Sequence, residues 1–320
     1  MKYWIIFSVA INAFQLTAQL TAQLTEVAEL EFGNNPGNLE CFIQPTSNKN
    51  RPLVLVLHGC TQSAQEAISV SGWDALAKEN DFFLLAPQQQ MSNNPNRCFN
   101  WFRPEDIDSL NGEAASILNM LSYCLSHYSI DTAQIFITGF SAGGQLSVSL
   151  LALTPTRFKA GAVFACGPYG LAEKPSQALK AMHGKPELTE KQLTQRVMDL
   201  HPNASIAYPS LYIYQGSDDA VVYPKCAGML YNQWKGIKQL NTSSEKEVLL
   251  KEHPFIKRTS VGSTDNSNRV VLYQFTGLGH QIPVDPGTNP GQGGQYNLFS
   301  KDQNFWAAMQ VAIDFGLVLH

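Results

Sequence analysis

Strong charge is the first thing that this sequence lacks. Only 15% of its 320 residues are charged, the 22 basic and 26 acidic side chains leave a net charge of -4, and no run of lysine and arginine exceeds a pair. Because nucleic acids and anionic membranes attract basic patches, neither is an expected partner. The six cysteines show no C-x-x-C spacing, which argues against zinc and thioredoxin-type chemistry.

A long hydrophobic run is missing as well. Residues 3–14 are almost entirely apolar, but the stretch is too short to span a bilayer comfortably. With Lys2 before it and the repeat QLTAQLTAQLTE after it, the stretch predicts a signal peptide over residues 1–22, cleaved after Ala18 or Ala22. We therefore expect a secreted protein, extracellular or periplasmic, with no stable membrane anchor. The alternative is a buried N-terminal helix, although the repeat has no amphipathic partner segment.

Export changes the interpretation of the cysteines, because thiols outside the cytosol tend to pair. Six cysteines allow many complete pairings, and spacing alone does not choose among them. Cys124 also fits the apolar stripe of a predicted helix, so a buried core thiol is the alternative there.

From residue 52 onward, apolar β-rich runs alternate with helical patterns. Their order predicts an α/β fold with a mainly parallel central sheet and helices on both faces. Length and a hydrophobic content of 44% favour a single domain over residues 23–320. The predicted strands cover residues 52–59, 82–87, 134–139, 160–166, 210–216 and 269–275, and the predicted helices cover 64–80, 112–128, 142–153, 220–235 and 303–316.

Two segments interrupt this alternation. Residues 88–111 are polar and turn-rich yet contain three aromatic side chains, and a loop of that length inside a domain is more often functional than idle. Residues 236–268 are the most highly charged part of the chain. We expect them to form an exposed excursion with an extra strand around residues 253–261.

The motif Gly139-Phe140-Ser141-Ala142-Gly143 matches G-x-S-x-G, with an apolar strand before it and a helical pattern after it. That context is typical of a nucleophilic serine on a tight turn, where glycines allow the strand and the helix to approach. The alternative is a small residue at an ordinary strand-to-helix joint.

A serine nucleophile needs a base and an acid that orients the base, and in the α/β-hydrolase arrangement the chain order is Ser, Asp or Glu, His. Asp218 and Asp219 follow a buried strand, and His280 follows the last strong strand on a glycine-rich loop. The spacing of Asp219 from Gly216 favours Asp219 as the acid and leaves Asp218 as a turn former. Both aspartates could instead cap the following helix.

An oxyanion also needs backbone donors. In this architecture one N–H belongs to the residue after the nucleophile, here Ala142, and the other to a loop after an early strand. The stretch LHGCTQ, residues 57–62, offers the N–H of Cys60. Alternatively, His58 and Gly59 only form a tight strand exit.

Together these motifs resemble the secreted poly(3-hydroxybutyrate) depolymerase-like esterases, α/β-hydrolases related to feruloyl and acetylxylan esterases. The resemblance covers nearly all of the chain after the signal, in family order. Its matching stretches are NPGNLECFIQP (35–45), RPLVLVLHGCTQ (51–62), CFNWF (98–102), NGEAASILNM (111–120), IDTAQIFITGFSAGG (130–144), ACGPYG (165–170), GSDDAVVYP (216–224) and FTGLGHQIPVDPG (275–287).

The resemblance implies Ser141 as nucleophile, Asp219 as orienting acid, His280 as base and the loop at Cys60 as part of the oxyanion hole. It also suggests a disulfide between Cys60 and Cys98, which would anchor residues 88–111, the aromatic loop, beside the site. Asn100 and Trp101 then become candidates for the substrate cleft, although packing alone would equally explain Trp101.

The sequence departs from the family pattern in two respects. Phe99 stands where the family loop usually has a tryptophan, and no separate substrate-binding domain is expected after the catalytic one. Soluble oligomers or short acyl esters are therefore safer expectations than crystalline polyester.

Three functions follow as hypotheses. The leading one is a serine esterase that cleaves hydroxyalkanoate esters through an acyl-enzyme, with no metal or organic cofactor. The second is a feruloyl- or acetylxylan-type carbohydrate esterase, in which Trp101 and Tyr169 would stack on an aromatic acyl group. The third is a non-catalytic binding protein on the same scaffold.

Overall fold

The computed structural model describes residues 24–202, 205–264 and 268–318, so the predicted signal peptide at residues 1–22 lies outside the described residues. The described strands are β1 Thr25–Val27, β2 Glu40–Gln44, β3 Arg51–Leu57, β4 Phe83–Gln88, β5 Ile130–Phe140, β6 Ala160–Phe164, β7 Ser210–Gly216, β8 Lys246–Leu249, β9 Ile256–Gly262, β10 Arg269–Phe275, β11 Ile282–Val284 and β12 Ser300–Asp302. The described α-helices are α1 Glu29–Phe32, α2 Ala64–Ser71, α3 Trp73–Asn80, α4 Gly112–His127, α5 Ala142–Leu153, α6 Pro175–Met182, α7 Glu190–Met198, α8 Pro224–Ile237 and α9 Ala307–Phe315.

A ten-stranded sheet organises the molecule, in the order β1-β2-β4-β3-β5-β6-β7-β10-β9-β8. The six strands from β4 to β10 in that order pair in parallel, and two antiparallel strands extend each edge. The predicted α/β fold with a mainly parallel central sheet is confirmed. Strands β11 and β12 form a separate small parallel sheet.

Side chains of the central strands alternate between two cores, as the period of a strand requires. On β3, Leu53 and Leu55 join the core beneath α4, α5 and α8, whereas Val54 and Val56 join the core beneath α2, α3 and α9. Burial on both faces explains why the central strands are continuously apolar in sequence. No helix in the described ranges is long and apolar enough to cross a membrane.

Several predicted elements are observed within a few residues of their expected limits, and β7, β10 and α5 match them throughout. The single helix predicted over residues 64–80 is wrong, because Gly72 ends α2 in a left-handed conformation with φ 81°. The ring of Trp306 packs 2.8 Å from the position that a β-carbon at Gly72 would occupy. Tertiary packing therefore breaks this helix.

The charged segment 236–268 extends the sheet. The extra strand predicted around residues 253–261 is confirmed as β9, which pairs antiparallel with β10, and β8 adds a further strand outside it. Because β9 is antiparallel to β10, Ile256 at the start of β9 pairs with Phe275 at the carboxyl end of β10, the edge of the sheet where ligands bind in open α/β folds. The loops that follow β3, β5, β7 and β10 meet at that edge.

Candidate active site

Ser141 occupies the turn between β5 and α5 with φ 56° and ψ -118°, a conformation that residues with a β-carbon rarely adopt. The turn depends on its glycines. A β-carbon at Gly143 would overlap the carbonyl oxygens of Leu57 and His58, and one at Gly139 would overlap the carbonyl of Gly143. Strand, helix and the end of β3 therefore meet backbone to backbone, and the serine hydroxyl lies above them.

The structure brings Ser141, His280 and Asp219 together in one hydrogen-bonded chain. Nε2 of His280 lies 2.8 Å from Oγ of Ser141, and Nδ1 of His280 lies 2.8 Å from Oδ2 of Asp219. A carboxylate that accepts the Nδ1–H bond leaves Nε2 free to accept the proton of the serine hydroxyl. This geometry fits general-base activation of Ser141.

Asp219 is held rigidly in its place. Its side chain is fully buried, its Oδ1 accepts the backbone N–H groups of Val221 at 2.9 Å and Val222 at 2.8 Å, and Gln215 donates to its Oδ2 at 3.1 Å. Asp218 is exposed and accepts a hydrogen bond from the hydroxyl of Ser217. The structure thus places Asp219, and not its neighbour, against the imidazole.

Two backbone N–H groups border the serine. Ala142 is the first residue of α5, where a backbone donor has no partner inside the helix, and Cys60 follows β3. In the described part of the chain neither N–H donates to a protein acceptor. Both are therefore available to an oxyanion.

His58 fixes the turn that carries Cys60, so the tight strand exit expected of His58 and Gly59 lies in the loop that is also predicted to supply an oxyanion donor. Its Nδ1 lies 2.7 Å from the carbonyl of Gly59, and its Nε2 accepts the backbone N–H of Gln89 at 3.0 Å. An imidazole that donates from Nδ1 and accepts at Nε2 is neutral. Burial lowers the pKa of His58 to about 4, which keeps the ring in that form.

A disulfide joins Cys60 to Cys98 and links residues 57–62, the proposed oxyanion turn, to the aromatic loop, residues 88–111. The same two segments also exchange hydrogen bonds, because the backbone N–H of Thr61 donates to the carbonyl of Asn96 at 2.6 Å and the guanidinium of Arg97 donates to the carbonyl of Thr61 at 3.1 Å. The remaining described cysteines are buried free thiols, namely Cys41, Cys124, Cys166 and Cys226.

A cavity of about 180 Å³ opens beside Ser141. Its apolar wall comes from the aromatic loop, the segment after β6 and helix α6. Asparagine and glutamine supply its polar lining, and no charged side chain of the described chain lines it. The apolar lining includes Trp101, Phe102, Leu171, Ala178, Ala181 and Met182.

Of the three residues predicted for substrate binding, only Trp101 lines this cavity. The side chain of Asn100 is buried and donates a hydrogen bond to Glu113. Tyr169 lies on a separate open groove, with its backbone N–H and carbonyl held by Gln233. The structure thus leaves Asn100 and Tyr169 outside the cavity, because both are held by neighbours that sequence reasoning had not paired with them.

Sequence reasoning missed the cavity wall of α6 and the buried carboxyl of Glu113. Helix α6 is short and lies in a polar stretch, so only its tertiary packing identifies its small residues as a wall. Glu113 has a weak signal, an acidic residue directly before Ala114 and Ala115. Burial and the nearby Asp106 raise the pKa of Glu113, and the hydrogen bonds that Asn100 and Gln89 donate oppose that shift and favour the carboxylate.

No group of three or more histidine, cysteine or acidic side chains that could hold a metal ion occurs in residues 24–202, 205–264 and 268–318. The groups gathered at the site are a serine hydroxyl, an imidazole, a buried carboxyl and two backbone N–H groups. Such a set can transfer an acyl group.

Comparisons with known proteins identify a family of esterases. The model of the family "Esterase PHB depolymerase" matches residues 39–242. Poly(3-hydroxyalkanoate) depolymerase C of Paucimonas lemoignei is 34% identical over 297 residues, covering 92% of this chain and 70% of the relative. Feruloyl esterase B of Thermothelomyces thermophilus is 30% identical over 237 residues, covering 71% and 79%.

A solved structure, acetyl xylan esterase from Aspergillus awamori, superposes with a TM-score of 0.75 at 21% identity. The match covers 92% of this chain and all of the other. At that identity the similarity demonstrates a shared fold.

Proposed function

The chain belongs to the esterase PHB depolymerase family and is a carboxylic ester hydrolase, as its motifs predicted. From that premise we propose that it hydrolyses hydroxyalkanoate esters through an acyl-enzyme on Ser141. The substrate is poly(3-hydroxybutyrate) or its oligomers. One observation carries the proposal, namely the hydrogen-bonded chain Ser141, His280 and Asp219 opening onto an uncharged apolar cavity.

In the first half-reaction, Oγ of Ser141 attacks the ester carbonyl carbon while Nε2 of His280 takes the hydroxyl proton. Asp219 stabilises the imidazolium that forms. The carbonyl oxygen becomes an oxyanion and accepts hydrogen bonds from the backbone N–H groups of Cys60 and Ala142. Each such donor typically contributes on the order of 100- to 1000-fold in rate. When the tetrahedral intermediate collapses, the bond to the alcohol oxygen breaks, and His280 returns its proton to that oxygen.

The second half-reaction repeats these steps with water as the nucleophile. His280 takes a proton from water, the resulting hydroxide attacks the acyl carbon, and the same two N–H groups bind the second oxyanion. Collapse then breaks the bond to Oγ, and the proton on His280 restores the serine hydroxyl. The products are a hydroxyacid and an alcohol, which in a polyester is the shortened chain.

The cavity lining supports a neutral, largely aliphatic acyl group. Trp101, Leu171 and Met182 offer apolar contact, and burying a charged acyl group here without a partner would be costly. The relative with 34% identity over most of this chain is a poly(3-hydroxyalkanoate) depolymerase, which favours the hydroxyalkanoate class.

A feruloyl- or acetylxylan-type carbohydrate esterase is the second candidate. The 30% identity to a feruloyl esterase B favours it, and so does Trp101 in the cavity wall, since its ring could contact an aromatic acyl group. The hydrogen bonds that orient all three members of the proposed triad argue against a non-catalytic binding protein.

A substrate panel tests the proposal. Purified protein is compared on 3-hydroxybutyrate trimer, poly(3-hydroxybutyrate) film, methyl ferulate and acetylated xylan, with Ser141→Ala as the blank. We expect the highest kcat/KM on the trimer and weaker turnover of the film. Clear preference for methyl ferulate or acetylated xylan would replace the leading function with the second.

We also propose that residues 1–22 direct export and that residues 23–320 form one catalytic domain. The disulfide between Cys60 and Cys98 supports an oxidising destination. N-terminal sequencing of protein recovered from periplasm and medium tests this proposal, and we expect a start after Ala18 or Ala22. Recovery of an uncleaved chain from the cytoplasm alone would refute it.

A further inference from the structure

Glu113 is a buried carboxyl that the proposed reaction does not use. It is the second residue of α4, and its side chain is almost completely enclosed. Three donors converge on it. The backbone N–H of Asn100 lies 2.8 Å from Oε2, Nδ2 of Asn100 lies 2.7 Å from Oε1, and Nε2 of Gln89 donates to Oε1 as well.

One branch of this network leads to the oxyanion turn. Gln89 is fully buried, and its backbone N–H donates to Nε2 of His58 at 3.0 Å. His58 in turn contacts the carbonyl of Gly59 at 2.7 Å, one residue before the proposed donor Cys60. The side chain of Gln89 also donates to the carbonyl of Cys98 at 3.2 Å, the partner of Cys60 in the disulfide. The carboxyl thus reaches the oxyanion turn through two bonds of Gln89.

The other branch leads to the cavity wall. Asn100 directly precedes Trp101, so the two hydrogen bonds from Asn100 to Glu113 fix the backbone from which the indole projects. Oδ1 of Asn100 also accepts a hydrogen bond from Asn94 at 3.1 Å, and Asn94 lines the cavity. Both walls of the site therefore depend on one carboxyl group.

We propose that Glu113 is a positioning residue for ester hydrolysis, which holds the oxyanion turn through Gln89 and the aromatic cavity wall through Asn100. This inference rests on the proposed function. Glu113 touches no reacting atom, and its effect is geometric, because a displacement of about 1 Å at a catalytic group can cost on the order of 100-fold in rate.

Glu113→Gln separates this role from simple burial. The amide has nearly the same size, but it offers one acceptor oxygen where the network needs two. Whichever way the amide is turned, its NH₂ group faces at least one of the donors from Asn100 and Gln89. The network must then shift, even though the core remains filled.

Asp314 offers a matched control on the other face of the sheet. It is a buried carboxyl on α9, and its Oδ2 accepts the hydroxyls of Tyr273 at 3.2 Å and Tyr214 at 3.4 Å. Its partners are outside the triad and the cavity. Asp314→Asn therefore reports the cost of neutralising a hydrogen-bonded buried carboxyl without moving the site.

The experiment measures kcat and KM for p-nitrophenyl acetate and hexanoate, with active serine titrated by a fluorophosphonate so that unfolded protein is not counted. We expect Glu113→Gln to lower kcat about 10- to 100-fold on both esters and to raise KM mainly for hexanoate. Asp314→Asn should stay within twofold of the wild type, whatever its Tm. Equal kcat values in the two variants would overturn the inference.

Asn100→Ala provides a second variant should Glu113→Gln fail to fold. It keeps the carboxyl and the Gln89 branch and weakens only the wall branch, so KM for hexanoate should rise several-fold while kcat for acetate changes less than twofold. If the ratio of KM for hexanoate to KM for acetate is the same as in the wild type, Asn100 does not position the cavity wall. Ser141→Ala, assayed in parallel, tests the proposed function separately, because activity retained there refutes the nucleophile irrespective of Glu113.

Discussion

The two sides of the cleft are built on different principles. On the acid-base side, the loops of Asp219 and His280 are short and bound backbone to backbone: Ser217 donates to the carbonyl of Phe275, and Asp218 donates to that of Leu278, each at 2.9 Å. On the oxyanion side, the turn at Cys60 and the long aromatic loop are held by a disulfide and by buried polar side chains. Side-chain changes should therefore affect mainly the chemistry on the first side, and stability together with chemistry on the second.

The largest effect is expected for Ser141→Ala. Without the hydroxyl no acyl-enzyme forms, and kcat for short p-nitrophenyl esters should fall on the order of 10⁴- to 10⁶-fold. Tm should not fall, because the substitution deletes only one oxygen atom from a partly buried side chain. Circular dichroism melting beside the esterase assay checks both parts, and substantial residual turnover would disprove the assignment.

Asp219→Asn comes next and probes the acid-base side directly. The amide oxygen can still accept the N–H groups of Val221 and Val222, but its NH₂ group favours the wrong imidazole tautomer, so kcat should fall about 10⁴-fold. Asp218→Asn is the matched control and should stay within a few-fold of the wild type. Similar losses in the two variants would remove the distinction between the neighbouring aspartates.

The double variant Cys60→Ser with Cys98→Ser probes the oxyanion side. The bridge spans 38 residues, and in the chain-entropy view its loss costs about 4 kcal/mol in the free energy of unfolding. Because the same bridge anchors the oxyanion turn, kcat should fall about 10-fold in molecules that remain folded. Urea unfolding and kinetics on titrated active sites measure the two effects, and a loss of stability with unchanged kcat would break the comparison between the two sides.

The smallest effect concerns pH and His58. Its folded-state pKa of about 4 lies below the ordinary value of 6.5, so its contribution to stability is present above pH 6.5 and is lost as the pH falls toward 4. The difference between these two pKa values corresponds to about 3 kcal/mol in the free energy of unfolding. In His58→Gln, the drop in unfolding free energy between pH 7 and pH 4 should be smaller by about that amount.

The exposed His127→Gln supplies the background for this measurement. An equal pH dependence in wild type and His58→Gln would mean that the buried imidazole does not resist protonation as described. Such a result would also remove His58 as a fixed element of the oxyanion side.

The strands buried on both faces were predictable because their apolar runs are continuous and bounded by turns. β7 and β10 were located to the residue for that reason. Elements that depend on their neighbours were not predictable. The break at Gly72 requires Trp306 from the far end of the chain, and α7 is an amphipathic helix in a polar stretch.

The same division applies to the site. That Ser141, Asp219 and His280 lie together could be predicted because each follows a strong strand in a fixed order. The positions of Glu113 and of the α6 wall could not, because distant segments have to close over them to bring them beside the site. Asn100 was assigned to the cleft for its position beside Trp101, whereas its side chain points to the carboxyl behind the loop.

The absence of side chains at Gly139 and Gly143 has a consequence for how such a protein can change. Because β5, α5 and the end of β3 touch through main-chain atoms, the position of Ser141 relative to the end of β3 does not depend on the side chains of α6 or on Trp101. Substitutions in α6 or at Trp101 can then change which acyl group is accepted without displacing Ser141. The same backbone arrangement can thus serve different acyl groups while the side chains that line the cavity change.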